Sequence, residues 1–195
     1  MGQLIVQDFV TADGYAADTN NEFKAYELLD GGGTAEFDRA QLEWLGSVEA
    51  MVLGANTYRY FAEYWPTDAP KARSSLQPQW LRRHVFSRHL KDAPWGGDFP
   101  PSTVESGDAI EGIRRIKRES AKDIVLWGGS LSLGQTFFAA GGEVDAVRLV
   151  VMPLGQGSGR GGVFPAGHDP ALLKLVDVNS YDQGLVELSY LVLKR

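Results

Sequence analysis

The chain has 195 residues, a formal net charge of -6 and no cysteine. This length predicts a single domain over residues 1–195, and the absence of cysteine excludes disulfides, thiolate nucleophiles and Cys-type zinc sites. The acidity argues against non-specific nucleic-acid binding. No apolar run reaches the ~20 residues of a bilayer span, and Met1 to Val6 lacks the basic segment of a signal peptide, so no membrane role and a cytoplasmic location are expected.

In chain order, residues 3–10 read as a strand that leaves through a turn at Ala12-Asp13-Gly14-Tyr15. Residues 16–33, ending in Gly31-Gly32-Gly33, read as a long loop. Thr34 suits an N-cap, and Phe37, Ala40, Trp44, Leu45 and Val48 recur behind it at helical spacing. Residues 50–53 form a short apolar strand, and Thr57 to Trp65 a helix that Pro66 and Pro70 stop. Residues 66–83 are irregular, Val85-Phe86-Ser87 is another strand, and residues 91–102 are loop.

Asp108 followed by Glu111 resembles a capping box, with Ile110, Ile113 and Ile116 on the helix beyond it. A strand is expected over residues 123–127, a helix from Ser130 to Ala140 ended by Gly141-Gly142, and a strand from Val144 to Met152. Residues 172–179 and 185–193 pair as a hairpin around Asp182-Gln183-Gly184. The order predicts a single-domain α/β fold: a mostly parallel central sheet, flanked by helices, with a C-terminal antiparallel β-hairpin.

Three strand-to-loop junctions carry the chemistry. Ile124 to Leu131 runs apolar into Gly128-Gly129 and then into a helix, which offers bare amides and a positive dipole end to an anion. The same pair would serve a tight turn that holds no ligand. Gly54-Ala55-Asn56-Thr57 sits at a second such junction, where Thr57 can cap its helix, bind phosphate, or do both. Ser87-Arg88 follows a third strand, and its guanidinium suits a 2′-phosphate. Together they point to a ligand with several phosphates, such as a dinucleotide, and to NADPH over NADH.

Gly157-Ser158-Gly159-Arg160-Gly161-Gly162 matches G-x-G-x-x-G, but Val163-Phe164-Pro165 follows instead of a helix, so it reads as a flexible loop near the ligand, or else as a plain linker. His84, His89 and His168 lack metal spacing, and no metal site is expected. Neither a phosphate-loop lysine motif nor G-x-S-x-G is present. Two carboxylates stand out. Asp13 either bonds its own turn or borders a ligand, and Asp38 either complements a helix dipole or hydrogen-bonds a heterocycle nitrogen as a catalytic acid.

These pieces, in this order, resemble the dihydrofolate-reductase-like fold, and most closely stand-alone relatives of the C-terminal reductase domain of bifunctional riboflavin-biosynthesis enzymes. The carriers are Phe9 to Tyr15 (S-x-D-G), Leu53 to Tyr58 (L-G-R-x-T-Y), Phe86-Ser87-Arg88, Leu126 to Ser130, Val144-Asp145 and Val163-Phe164-Pro165. The resemblance implies NADPH as hydride donor and a small pterin- or pyrimidine-like substrate. It implies cofactor contacts at Gly54, Thr57, Ser87, Arg88, Gly128, Gly129, Ser130 and Leu131, with Ala12, Asp13 and Gly14 along the nicotinamide side. Asp38 would be the substrate acid, with Trp44, Phe61 and Trp65 walling the pocket. The chain departs from the pattern at Ala55, where the family has arginine, and at Gly162, where dihydrofolate reductases often carry threonine; no zinc-binding deaminase set is present. A nucleotide-binding protein without turnover is the alternative, and a homodimer through the terminal strands is compatible with either.

Overall fold

Strand residues of alternating direction explain the architecture. In a computed structural model, which describes residues 1–20, 22, 23, 25, 35–64, 80–96, 99–128, 131–162, 164 and 170–194, these alternating side chains are buried on both faces of one sheet. Thr34, Gly31 to Gly33, Trp65, Pro66, Pro70, Gly129, Ser130, Val163, Pro165 and His168 lie outside the described residues.

The strands are β1 (Leu4–Thr11), β2 (Tyr15–Ala17), β3 (Val48–Gly54), β4 (Arg82–Phe86), β5 (Thr103–Glu105), β6 (Asp123–Leu126), β7 (Ala146–Met152), β8 (Arg160–Gly161), β9 (Leu172–Ser180) and β10 (Val186–Leu193). The helices are α1 (Ala35–Leu45), α2 (Ala55–Tyr64), α3 (Ala109–Glu119) and α4 (Leu131–Ala139). Eight strands form the main sheet in the order β5-β4-β3-β6-β1-β7-β10-β9. The first six are parallel neighbours, and β10 runs antiparallel to both β7 and β9. This is the expected α/β sheet with its antiparallel terminal hairpin, in a dihydrofolate-reductase-like arrangement.

One face of the sheet buries Leu4, Val6, Val52, Ile124 and Leu126 against Ile113 and Ile116 of α3 and Phe137 of α4. The other buries Met51, Leu53, Val85 and Val125 with Leu45 of α1, Tyr58 of α2 and Trp95. Parallel strands covered on both sides need such continuous apolar runs. Asp108 caps α3: its Oδ1 accepts the N–H groups of Ile110 and Glu111, each at 2.9 Å.

The structure differs from the sequence-based expectation at short or non-local elements. Part of the expected loop 16–33 is strand β2, and the expected loop 157–162 ends in β8, because the two pair with each other as Tyr15↔Gly161 and Ala17↔Arg160. Three-residue β5 closes the far edge by pairing with β4. Such short segments have too few residues to show a period and gain their order from their partner.

Val144-Asp145 has a structural role. Asp145 accepts the N–H of Leu4 at 2.9 Å and the ammonium groups of Lys117 and Lys194. Burial alone would raise its pKa, and these donors outweigh burial and hold it below the usual carboxylate value. The knot joins β1, α3 and the terminal strand at the edge where β1 begins, opposite the edge described next.

Candidate functional site

Parallel strands direct their C-terminal ends, and the loops that follow, to one edge of the sheet, where ligands of open α/β folds bind. At this edge α2 begins at Ala55, immediately after β3. Thr57 therefore lies inside the first turn, 8% exposed, and is not the start of the helix as the sequence predicts. The first turn of α4, at Leu131, borders the same space. Between them is a cleft of about 820 Å³, lined by Gly54, Asn56, Thr57, Leu131, Ser132 and Gln135, with Arg160 and Gly161. Helix first turns carry N–H groups without intrahelical partners and a partial positive charge. Two of them facing one cleft, with hydroxyl and amide side chains between, can hold an anionic ligand.

Of the sequence-predicted cofactor residues, Gly54, Thr57 and Leu131 come together on this cleft. Gly128 closes β6 nearby, and a Cβ there would lie 3.1 Å from the Phe9 ring and 3.3 Å from the Gln7 carbonyl oxygen. The close approach of β1 thus favours glycine at this position, since any side chain would need Phe9 or the Gln7 backbone to give way by a few tenths of an ångström.

Ala12, Asp13 and Gly14 do not line the cleft. They form the turn after β1, in which Gly14 has φ +86°. Asp13 accepts the Thr11 hydroxyl at 2.6 Å and the main-chain N–H groups of Gln156 and Gly157 at 3.0 and 2.6 Å. The Thr11 hydroxyl and these N–H groups lower its pKa to about 2. The carboxylate thus bonds a distant loop in addition to its own turn.

Ser87 and Arg88 follow β4 and also stand off the cleft lining. The Ser87 hydroxyl oxygen accepts the N–H groups of His89 and Leu90 at 3.2 and 3.1 Å, and its own N–H donates to Glu105 O. Arg88 is exposed.

Asp38 is half-buried in the first turn of α1. Neighbouring residues pin that turn: Glu36 accepts the N–H of Asp182 at 3.1 Å, and the Phe37 ring packs 5.3 Å from Tyr181 and 5.9 Å from Phe9. Asp38 is therefore at the same sheet edge but not on the lining of the cleft. Trp44 and Phe61 do not wall the cleft either. Trp44 lies 4.1 Å from the Arg148 guanidinium carbon, and Phe61 packs edge-on to Trp127 at 6.3 Å. Among the described residues, no group of three His, Asp or Glu is placed to hold a metal.

Sequence reasoning missed two features. One is a buried polar layer under α1. Arg148 donates to Gln41 at 2.6 Å and to Glu187 at 2.5 Å, and Gln41 and Gln7 exchange paired amide hydrogen bonds at 2.9 Å. All four residues are at most 5% exposed. The signal was present as opposite charges at inward positions of β7 and β10, which pair through Ser189↔Arg148 and Glu187↔Val150. The other is the Arg160 side chain: the sequence reads its glycine loop as lying near the ligand but singles out no residue in it, and the fold puts Arg160 on the cleft.

This fold has counterparts among solved structures. A putative riboflavin biosynthesis protein from Shewanella sp. PV-4 superposes with a TM-score of 0.70 at 17% identity, covering 98% of this chain and 99% of that one. A pyrimidine reductase-like protein from Corynebacterium diphtheriae gives 0.67 at 16% identity, over 100% and 93%. A diaminohydroxyphosphoribosylaminopyrimidine deaminase/5-amino-6-(5-phosphoribosylamino)uracil reductase from Thermotoga maritima gives 0.64 at 16%, with 98% of this chain spanning 57% of that one. At these identities the likeness is one of fold. No curated protein matches the sequence. The family model for the RibD C-terminal domain matches residues 3–187, nearly the whole chain, and the protein therefore belongs to the RibD C-terminal domain family.

Proposed function

We propose that this protein is an NADPH-dependent reductase that delivers a hydride to a small heterocycle of the pterin or pyrimidine type, in the cytoplasm. The observation that carries this reading is the convergence of the first turns of α2 and α4 on one cleft of about 820 Å³ at the C-terminal edge of the sheet. That volume falls within the range of small-molecule sites. The residues present fit a dinucleotide: Gly54 and Thr57 at one helix start and Leu131 at the other would hold its phosphates, as amides at helix N-termini do. NADPH, when bound, supplies the hydride; the protein supplies orientation, charge and exclusion of water.

Asp38 is the residue we assign to the substrate. Its place in a pinned, half-buried first turn suits a carboxylate that binds a ring nitrogen and favours its protonated form. Ser87 and Arg88 are assigned to the 2′-phosphate, and Ala12, Asp13, Gly14, Gly128, Gly129 and Ser130 to the rest of the cofactor surface.

Titration with NADPH, followed by its fluorescence, tests the reading. Saturable binding below millimolar concentration is expected, and a linear response to that limit overturns it. Asp38→Asn should then bind NADPH normally and lose about a hundredfold in kcat on an accepted substrate. Tight NADPH binding with no oxidation across pterins, pyrimidines and carbonyl compounds would favour the reading as a nucleotide-binding protein without turnover.

A homodimer is part of the proposal. The edge strand β9 exposes Leu175, Val176 and Val178, each about half accessible, beside Leu191 and Leu193 of β10. Exposed apolar edge strands are templates for pairing. Light scattering should report two chains, and Val178→Asp one.

A further inference from the structure

We infer that Arg160 is the cation of the cleft and clasps the diphosphate of the bound dinucleotide. This rests on the cofactor reading above and adds a residue that acts from outside both helix starts.

The cleft needs a positive charge that its other walls do not supply. Ala55, Asn56 and Thr57 open α2, Leu131 and Ser132 open α4, and none carries a charge. Among the described residues that line the cleft, Arg160 alone is charged. It is exposed, and among the described residues it has no carboxylate partner. A diphosphate seated between the two helix starts would meet amides and hydroxyls from both and its single full counter-charge from Arg160. A guanidinium fork matches pairs of phosphate oxygens better than an ammonium.

Arg160 is also held in position by a built support. It pairs with Ala17 across the β2–β8 ladder. The preceding Gly159 has φ +156°, and a Cβ there would lie 2.2 Å from the Ala17 carbonyl oxygen, so only glycine lets the loop close onto β2. Gln156 Nε2 donates to Ala17 O at 3.0 Å and Ser158 O at 2.8 Å. Asp13 grips the N–H groups of Gln156 and Gly157. The backbone of the loop read from sequence as flexible is therefore clamped from two sides, and a main chain held in place before binding loses less entropy when the ligand arrives. In this arrangement Asp13 also acts through the loop that carries Arg160, in addition to the cofactor-side place proposed for its turn.

The test compares wild type, Arg160→Gln and Arg160→Lys in titrations with NADPH and with NADH, which share the diphosphate and differ at the 2′-phosphate. Arg160→Gln should weaken both dinucleotides by about tenfold, the loss of one charge-assisted contact. Arg160→Lys, which keeps the charge without the fork, should fall between. Unchanged affinity for both in Arg160→Gln overturns the inference. A loss confined to NADPH overturns it too, by moving the contact to the 2′-phosphate. Wild-type protein that binds neither dinucleotide overturns the cofactor reading itself. Arg160→Lys preserves charge and length, so it decides the matter if the neutral variant unfolds.

Discussion

The Asp13 carboxylate accepts the main-chain N–H of Gly157 at 2.6 Å, which ties the turn after β1 to the loop after β7. Because the charged form is the bonded form, the pKa of Asp13 sits at about 2, below its ordinary 3.8. A depressed carboxylate contributes above its unfolded pKa and loses that contribution as pH falls through the folded one. The clamp is therefore complete above about pH 4 and lost toward pH 2. Asp13→Ala should speed hydrogen exchange at the Gln156 and Gly157 amides several-fold and weaken dinucleotide binding, with little change in global melting. Unchanged exchange at those two amides would show that the carboxylate does not hold the loop.

Arg148 and Glu187 form an ion pair whose side chains are 6% and 4% exposed. Removing one partner strands a buried charge, so Glu187→Leu should lower unfolding free energy by about 3–5 kcal/mol in urea titrations. The double variant Arg148→Met with Glu187→Leu should recover most of that loss, since an apolar pair of similar volume needs no desolvation of charge. Additive losses in the double variant would contradict this account.

His84 Nδ1 is 2.8 Å from Glu105 Oε1 beneath α3, and Nε2 is buried with no hydrogen-bond partner. Burial pushes its pKa below 6.5; Glu105 opposes that shift, and Arg82 and Arg115 add to it. The unfolded chain then binds the proton more readily. Stability is full above pH 6.5 and falls as pH drops from 6.5 toward the folded pKa. The carboxylates of Asp13, Glu49, Glu105 and Asp145, all held low, titrate beneath this window. Melting temperatures between about pH 8 and about pH 5 should decline in wild type and decline less in His84→Asn. Parallel slopes for the two proteins would refute the assignment.

Asp108→Ala removes the side chain that satisfies two amides at the start of α3. The expected loss is about 1 kcal/mol by urea unfolding, and Asp108→Asn, which keeps the acceptor, should lose much less.

The long elements were legible because their periods are local. β1, β3, β6, β7 and the β9–β10 hairpin lie within two residues of where apolar runs placed them, and Asp108 caps the helix its pattern announced. The start of α2 was misplaced because Thr57 looks like a cap, while the helix begins two residues sooner, at Ala55 directly after β3. β2, β5 and β8 carry two or three residues each and exist through pairing with remote strands. Of the proposed cofactor residues, Gly54, Thr57 and Leu131 share a cleft, whereas Ser87 spends its hydroxyl oxygen on a turn and Gly128 its missing side chain on Phe9.

By itself, the sequence determined the α/β alternation, the strand-to-helix junctions at Gly54 and Gly128, and the absence of thiol chemistry. Those depend on neighbours a few residues apart. Only the tertiary structure decided that Arg160 meets Thr57 across a cleft, that Asp13 holds Gly157, and that Arg148 neutralises Glu187 under Trp44. Each of these joins residues on separate elements, and a carboxylate or guanidinium finds its partner through the packing of the sheet, which a linear pattern does not encode.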